Sequence, residues 1–174
     1  NAFLPGIIEQ ILQKRGTAIL MYPLKALSQD QEGKIRTLLN GALGSSVSVA
    51  SFTGDSKAED LYAPDGSLPD LLIATPDKLN HHLTKPAIQA VLGQARFVVL
   101  DEAHSYRSFF GSNVALLLRR LTYQARSDCW FVISSATLEN TIEFARNLTG
   151  RKRFRVVGCS GGPRHARYFY LATS

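Results

Sequence analysis

Residues 97–104 read Phe97-Val98-Val99-Leu100-Asp101-Glu102-Ala103-His104. Four apolar residues run without alternation and then give way to two carboxylates and an imidazole. An unbroken apolar run of this length reads as a strand covered on both faces, as in a parallel sheet. The same figure recurs along the chain. Residues 17–22 (TAILMY) end at Pro23-Leu24-Lys25, residues 70–74 end at Thr75-Pro76-Asp77, and residues 130–134 end at Ser135-Ala136-Thr137. Val47 and Val49 alternate with serines before Thr53-Gly54-Asp55, and residues 154–157 are a further strand candidate.

Between the runs lie apolar positions at helical spacing. They are Leu4, Ile7, Ile8 and Ile11; Ile35, Leu38, Leu39 and Ala42; Val114, Leu117, Leu118 and Leu121; and Ile142, Ala145 and Leu148. Strands alternating with helices predict an α/β fold, a parallel sheet with helices on both faces. In such sheets ligands gather at the carboxyl ends of the strands, and the five polar clusters sit there.

With 174 residues, the chain has the length of one domain. Its 45% hydrophobic and 20% charged content fits a globular core and excludes a disordered or fibrous chain. No apolar run approaches the ~20 residues of a membrane-spanning helix, and residues 1–20 lack the pattern of a secretion signal. Two widely spaced cysteines, Cys129 and Cys159, make neither a disulfide framework nor a zinc knuckle. An intracellular protein is expected, cytoplasmic in a bacterium or nuclear in a eukaryote. The net charge of +6 is uneven: residues 1–110 carry ten Lys/Arg against eleven Asp/Glu, and residues 111–174 ten against three. A basic half suits either a polyanion or a solvated face.

Adjacent carboxylates at the end of a buried strand are costly unless a cation or strong donors neutralise them. Nucleotide hydrolysis needs such a pair: one acid for the waters around Mg²⁺, its neighbour for the attacking water. The plainer reading of Asp101 and Glu102 is a turn whose acids cap the following helix.

Taken in order, P-L-K-A-L from Pro23, T-G-D from Thr53, A-T-P-D-K-L from Ala74, D-E-A-H from Asp101 and S-A-T from Ser135 bear on these readings. The series resembles the first RecA-like lobe of superfamily 2 DEAD/DEAH-box helicases. The wider string from Leu100 to Arg107, with Phe110-Gly111-Ser112 and Leu118-Arg119-Arg120-Leu121, is most similar to bacterial and fungal DNA helicases that often carry a C-terminal zinc-binding region.

The resemblance implies an ATP-dependent motor with Mg²⁺, moving three-prime to five-prime on nucleic acid, DNA before RNA. Asp101 would bind Mg²⁺ through water, Glu102 would act as general base, and His104 would face the nucleotide with them. His104, Ser135, Ala136 and Thr137 would couple hydrolysis to movement. Pro23, Leu24, Lys25, Ala26, Thr53, Gly54, Asp55, Thr75 and Pro76 would contact one strand's backbone. ATP would lie between this lobe and a second one, in a protein with accessory domains and no membrane partner.

No P-loop of the form G-x-x-x-x-G-K-[ST] occurs in the sequence. Residues 1–8 resemble the helix that follows it, which implies a lobe beginning just after the P-loop, with residues 158–174 approaching the inter-lobe linker. Two other functions are compatible with the same residues: a lobe that grips nucleic acid or a partner without hydrolysis, and a metal-dependent nuclease using Asp101, Glu102 and His104.

Among the remaining candidates, His81 and His82 are adjacent and so point apart on a helix, towards the surface. Arg151, Lys152, Arg153 and Arg155 form the densest basic cluster, with Arg153 and Arg155 on one face if they share a strand.

Overall fold

The computed structural model describes residues 3–14, 16–42, 46–54, 56–125, 128–135, 140–158 and 168–172. The elements in order are α1 (Leu4–Lys14), β1 (Thr17–Met21), α2 (Lys25–Ala42), β2 (Val49–Phe52), β3 (Leu71–Ala74), α3 (Pro76–His82), α4 (Pro86–Gln94), β4 (Ala95–Leu100), α5 (Ser108–Gln124), β5 (Trp130–Ser135), α6 (Thr141–Thr149), β6 (Arg155–Gly158) and β7 (Tyr168–Ala172). Short 3₁₀ turns occupy Glu59–Leu61 and Ala103–Ser105.

The strands form one sheet in the order β2-β3-β1-β4-β5-β7-β6. The first five are parallel, as the apolar runs imply. Beyond this parallel sheet, one edge adds two more strands: β7 pairs antiparallel with both β5 and β6. Strand direction is set by which neighbour a segment reaches, and no local pattern in residues 168–172 encodes that. Arg153 also falls outside β6, so it and Arg155 do not share a strand face.

Period-two alternation divides the central strands between two cores. Ala18 and Leu20 of β1, Leu71 and Ile73 of β3, and Phe97 and Val99 of β4 pack with Leu4, Ile7, Ile8 and Ile11 of α1 and Ile35 and Leu39 of α2. Their alternates Ile19, Met21, Leu72, Ala74, Val98 and Leu100 pack with Leu79 of α3, Ile88 and Val91 of α4, Val114, Leu117, Leu118 and Leu121 of α5, and Ala145 and Leu148 of α6. Each of the larger side chains (Val, Leu, Ile, Met or Phe), taken wholly out of water, contributes roughly 1.5–3 kcal/mol. β1, buried at every position, is the common wall of both cores.

α3 and α4 each open on proline at the first turn, Pro76 and Pro86, where a missing amide costs nothing. α2 begins at Lys25, directly after the tip of β1, ten residues before the apolar stripe that marks it in the sequence. Ser28 explains the difference. It is buried, and its hydroxyl turns back to the Leu24 carbonyl at 3.0 Å, so a polar residue faces the core there.

Candidate functional site

The register brings the polar clusters together. Met21 lies level with Ala74 and with Leu100, and Phe52 lies level with Ala74. The next residue on each strand is therefore Thr53, Thr75, Tyr22 and Asp101, one row across the carboxyl edge. Leu100 lies level with Ile133, so β5 runs two residues further and ends on Ser135. β1 and β4 are adjacent although α2, β2, β3, α3 and α4 lie between them in the chain, and such a switch point opens a crevice at the strand ends. Asp101 and Glu102 stand at that crevice.

The Asp101 amide donates to the Met21 carbonyl at 3.1 Å, continuing the β1–β4 ladder one residue past the strand. Asp101 Oδ1 then accepts the Glu102 amide at 3.0 Å. Glu102 has a left-handed backbone, φ 51 and ψ 45, an uncommon state for a residue with a side chain. This sharp bend turns the chain out of the sheet into the 3₁₀ turn of Ala103–Ser105 and leaves the Glu102 carboxylate 42% exposed at the rim. His104 Nδ1 lies 3.3 Å from Glu102 Oε2 and 3.5 Å from Ser135 Oγ. The imidazole thus bridges the tips of β4 and β5. Asp101, Glu102, His104 and Ser135 are brought together, while Ala136, Thr137 and Asp55 lie outside the described residues.

Two tyrosines that the sequence reading passed over back this turn. Tyr22 and Tyr106 are both buried, and burial pushes both phenols up, with the Asp101 charge adding to it. Both therefore stay protonated donors beside the carboxylate. Tyr106 Oη donates to the Met21 carbonyl at 3.2 Å. Tyr22 Oη has no partner among the described residues.

A second group forms around Gly54. Its φ of +52 is a left-handed state that favours glycine, and a Cβ there would collide with the ammonium end of Lys25. Lys78 Nζ donates to the Gly54 carbonyl at 2.7 Å and stands 5.2 Å from the Phe52 ring centre. Pro23, Leu24, Lys25 and Ala26 form the entry to α2, and Leu24, Lys25 and Ala26 are exposed. Thr53 is buried, and its carbonyl accepts the Ser56 hydroxyl at 2.7 Å. Thr75 precedes Pro76 at the start of α3. Lysines on both sides of one backbone turn make a surface suited to phosphates. Lys78 was legible only as part of A-T-P-D-K-L; its approach to Gly54 is long-range.

Among the described residues, no group of three His, Cys, Asp or Glu side chains converges as a metal site. His81 is exposed as expected, whereas His82 is half-buried, edge-on to Phe52 at 5.3 Å. Arg120 donates to Asn80 Oδ1 at 3.0 Å, a structural use within the lobe.

The model of the DEAD/DEAH box helicase family matches residues 1–145. The chain belongs to this family. Among its DEAD/DEAH-box relatives, the uncharacterized ATP-dependent helicase YprA of Bacillus subtilis is 30% identical over 171 residues, covering 94% of this chain and 22% of YprA. The Lhr helicase/probable uracil glycosylase of Mycolicibacterium smegmatis is 32% identical over 154 residues, covering 82% of this chain and 10% of Lhr. Among solved structures, the DUF1998 helicase MrfA bound to DNA and AMPPNP superposes with a TM-score of 0.73 at 26% identity, covering 92% of this chain and 23% of MrfA. Mss116p bound to ssRNA and AMP-PNP has the same fold, with a TM-score of 0.73 at 20% identity, covering 84% of this chain and 31% of that one. The fold is thus the RecA-like lobe of DEAD/DEAH-box helicases, and the chain spans about a fifth of the length of YprA and MrfA.

Proposed function

We propose that this chain is a motor lobe of an ATP-dependent DNA helicase, one that hydrolyses ATP at the tip of β4 and grips a DNA strand along the tips of β1, β2 and β3. The observation that carries the reading is the carboxylate pair Asp101–Glu102, held at the β1–β4 switch point by the Met21 carbonyl and bridged to β5 through His104.

Each residue has a chemical task in this reading. Glu102, half exposed on its strained turn, accepts the proton of the attacking water and sets its direction; phosphoryl transfer depends chiefly on such placement. Asp101 fits a Mg²⁺ ion, because that ion prefers one or two carboxylates and keeps several of its waters. When bound, the ion neutralises charge on the triphosphate. His104 brings one ring nitrogen, Nδ1, within reach of both the Glu102 carboxylate and the Ser135 hydroxyl. Ser135, with Ala136 and Thr137, passes the state of the nucleotide to the rest of the lobe.

Pro23 to Ala26, Thr53 to Asp55, and Thr75 with Pro76 present backbone amides, hydroxyls and one ammonium, Lys25, to the sugar-phosphate backbone. Such contacts position a strand and discriminate little between bases. ATP lies between this lobe and a second one, whose closure and opening step the pair along the strand. The protein works inside the cell, where ATP and its nucleic acid are. DNA is favoured as the track because MrfA and the Lhr helicase of Mycobacterium smegmatis, at 26% and 32% identity, are DNA-bound in their solved structures.

The test is ATP turnover of the full-length protein with single-stranded DNA and with RNA of the same sequence. DNA is expected to raise turnover more than RNA does. Stimulation by RNA alone would overturn the assignment to DNA.

A further inference from the structure

We infer that Tyr106 is a positioning residue, one that ties the turn carrying Glu102 and His104 to the strand end from which the nucleic-acid contacts begin. The inference rests on the function proposed above and names a communication path within it.

Its basis is one backbone oxygen with two donors. The Met21 carbonyl accepts the Asp101 amide at 3.1 Å and the Tyr106 hydroxyl at 3.2 Å. Met21 is the last residue of β1, and the segment of Pro23, Leu24, Lys25 and Ala26 follows directly after Tyr22. The two donors flank the turn: Asp101 enters it and Tyr106 leaves it. The turn between them is thus pinned at both ends to a single point on β1.

Tyr106 is also fixed from behind. Its amide donates to the Ala103 carbonyl at 3.0 Å, and its ring packs on Phe110 with centroids 5.7 Å apart. A Cβ at Gly111 would collide with the Tyr106 carbonyl, so glycine lets α5 pack directly on this residue. Tyr106 is therefore a strut from the tip of β1 to the first turns of α5, with Glu102 and His104 on the loop slung between.

A buried phenol needs an acceptor, and in this setting it has taken one that an amide already satisfies. That choice has a consequence. Loss of the hydroxyl leaves the Met21 carbonyl bonded to Asp101, so Tyr106→Phe creates no orphaned polar group and keeps the ring in the core. What disappears is the link by which a shift of residues 22–26 pulls on the far end of the turn. The left-handed conformation of Glu102, which persists only where its surroundings hold it, then answers less to the state of the strand.

The experiment uses the full-length protein, wild type and Tyr106→Phe, with single-stranded DNA as the probe. ATP turnover is measured without and with DNA, DNA affinity by fluorescence anisotropy, and folding by thermal melting. The stimulation by DNA is expected to fall about fivefold in the variant, the effect of one hydrogen bond of ordinary net strength. The DNA dissociation constant and the KM for ATP are expected to stay within about twofold, because the binding groups themselves remain. Retention of full stimulation overturns the inference. So does an equal proportional fall in the unstimulated and stimulated rates, the mark of a merely structural residue. A wild-type protein that neither DNA nor RNA stimulates overturns the motor reading itself, and is told apart because the variant plays no part in that result.

Discussion

Ser135 Oγ lies 3.5 Å from Nδ1 of His104 and joins the end of β5 to the turn that follows β4. Ser135 is buried and His104 is not, so the contact links the packed interior of the sheet to the rim where Glu102 stands. In Ser135→Ala the bond is lost with little change of volume. Strand displacement per ATP consumed is expected to fall several-fold, about what one hydrogen bond of roughly 1 kcal/mol supports. Unwinding and ATP turnover measured on the same preparation give this ratio; an unchanged ratio removes Ser135 from coupling.

Lys25 opens α2 and packs over Gly54. If its ammonium meets one phosphate, Lys25→Ala weakens binding to single strands of any sequence alike and lowers the salt slope by about 0.7. Anisotropy titrations at several salt concentrations measure both effects. A loss confined to particular sequences would contradict a phosphate contact.

Gly54→Ala acts on the same place through the backbone. The left-handed φ of +52 opposes a Cβ, and a Cβ would also push aside the end of the Lys25 side chain. A stability loss of about 1 kcal/mol or more is expected, together with weaker strand binding. Denaturant melts and anisotropy test it; a variant with wild-type stability and affinity would show that the turn is not built as described.

Cys129 sets an alkaline limit. Burial raises its thiol from 9.0 to about 12, with Arg151 opposing and Asp128 adding. The unfolded thiol loses its proton from about pH 9, while the folded one keeps it until about 12. In that window the unfolded state binds fewer protons, so stability falls as pH rises, by at most about 1.4 kcal/mol per pH unit. Below pH 9 the contribution is intact. Urea melts at pH 8, 9 and 10 should show a shallower decline in Cys129→Ala; equal slopes would contradict the burial effect.

Much of the fold is legible in the sequence because β1, β3 and the Phe97–Leu100 stretch of β4 are buried on both faces, which leaves them apolar but for Thr17. Their ends are legible for the converse reason: Pro23, Thr75 and Asp101 are the first residues the core does not demand. The first half of α2 is hidden because its inward position is Ser28, and α4 is hidden because it is under ten residues and opens on proline. The antiparallel placement of β7 depends on partners far away in the chain. At the site, Asp101, Glu102, His104 and Ser135 can be named from their motifs. Tyr22, Lys78 and Tyr106 cannot, since a buried tyrosine and a helical lysine look ordinary until the fold places them beside Asp101, Gly54 and Met21.

The most direct measurement is the rate of ATP hydrolysis by full-length Glu102→Gln in the presence of saturating single-stranded DNA. The substitution keeps the size of the side chain at the rim and removes its basicity. Turnover should drop by about 100-fold or more, as loss of a positioned general base does, while nucleotide binding and the melting temperature stay near wild type. Turnover close to that of the wild-type protein would place the reaction somewhere other than the tip of β4 and end the account.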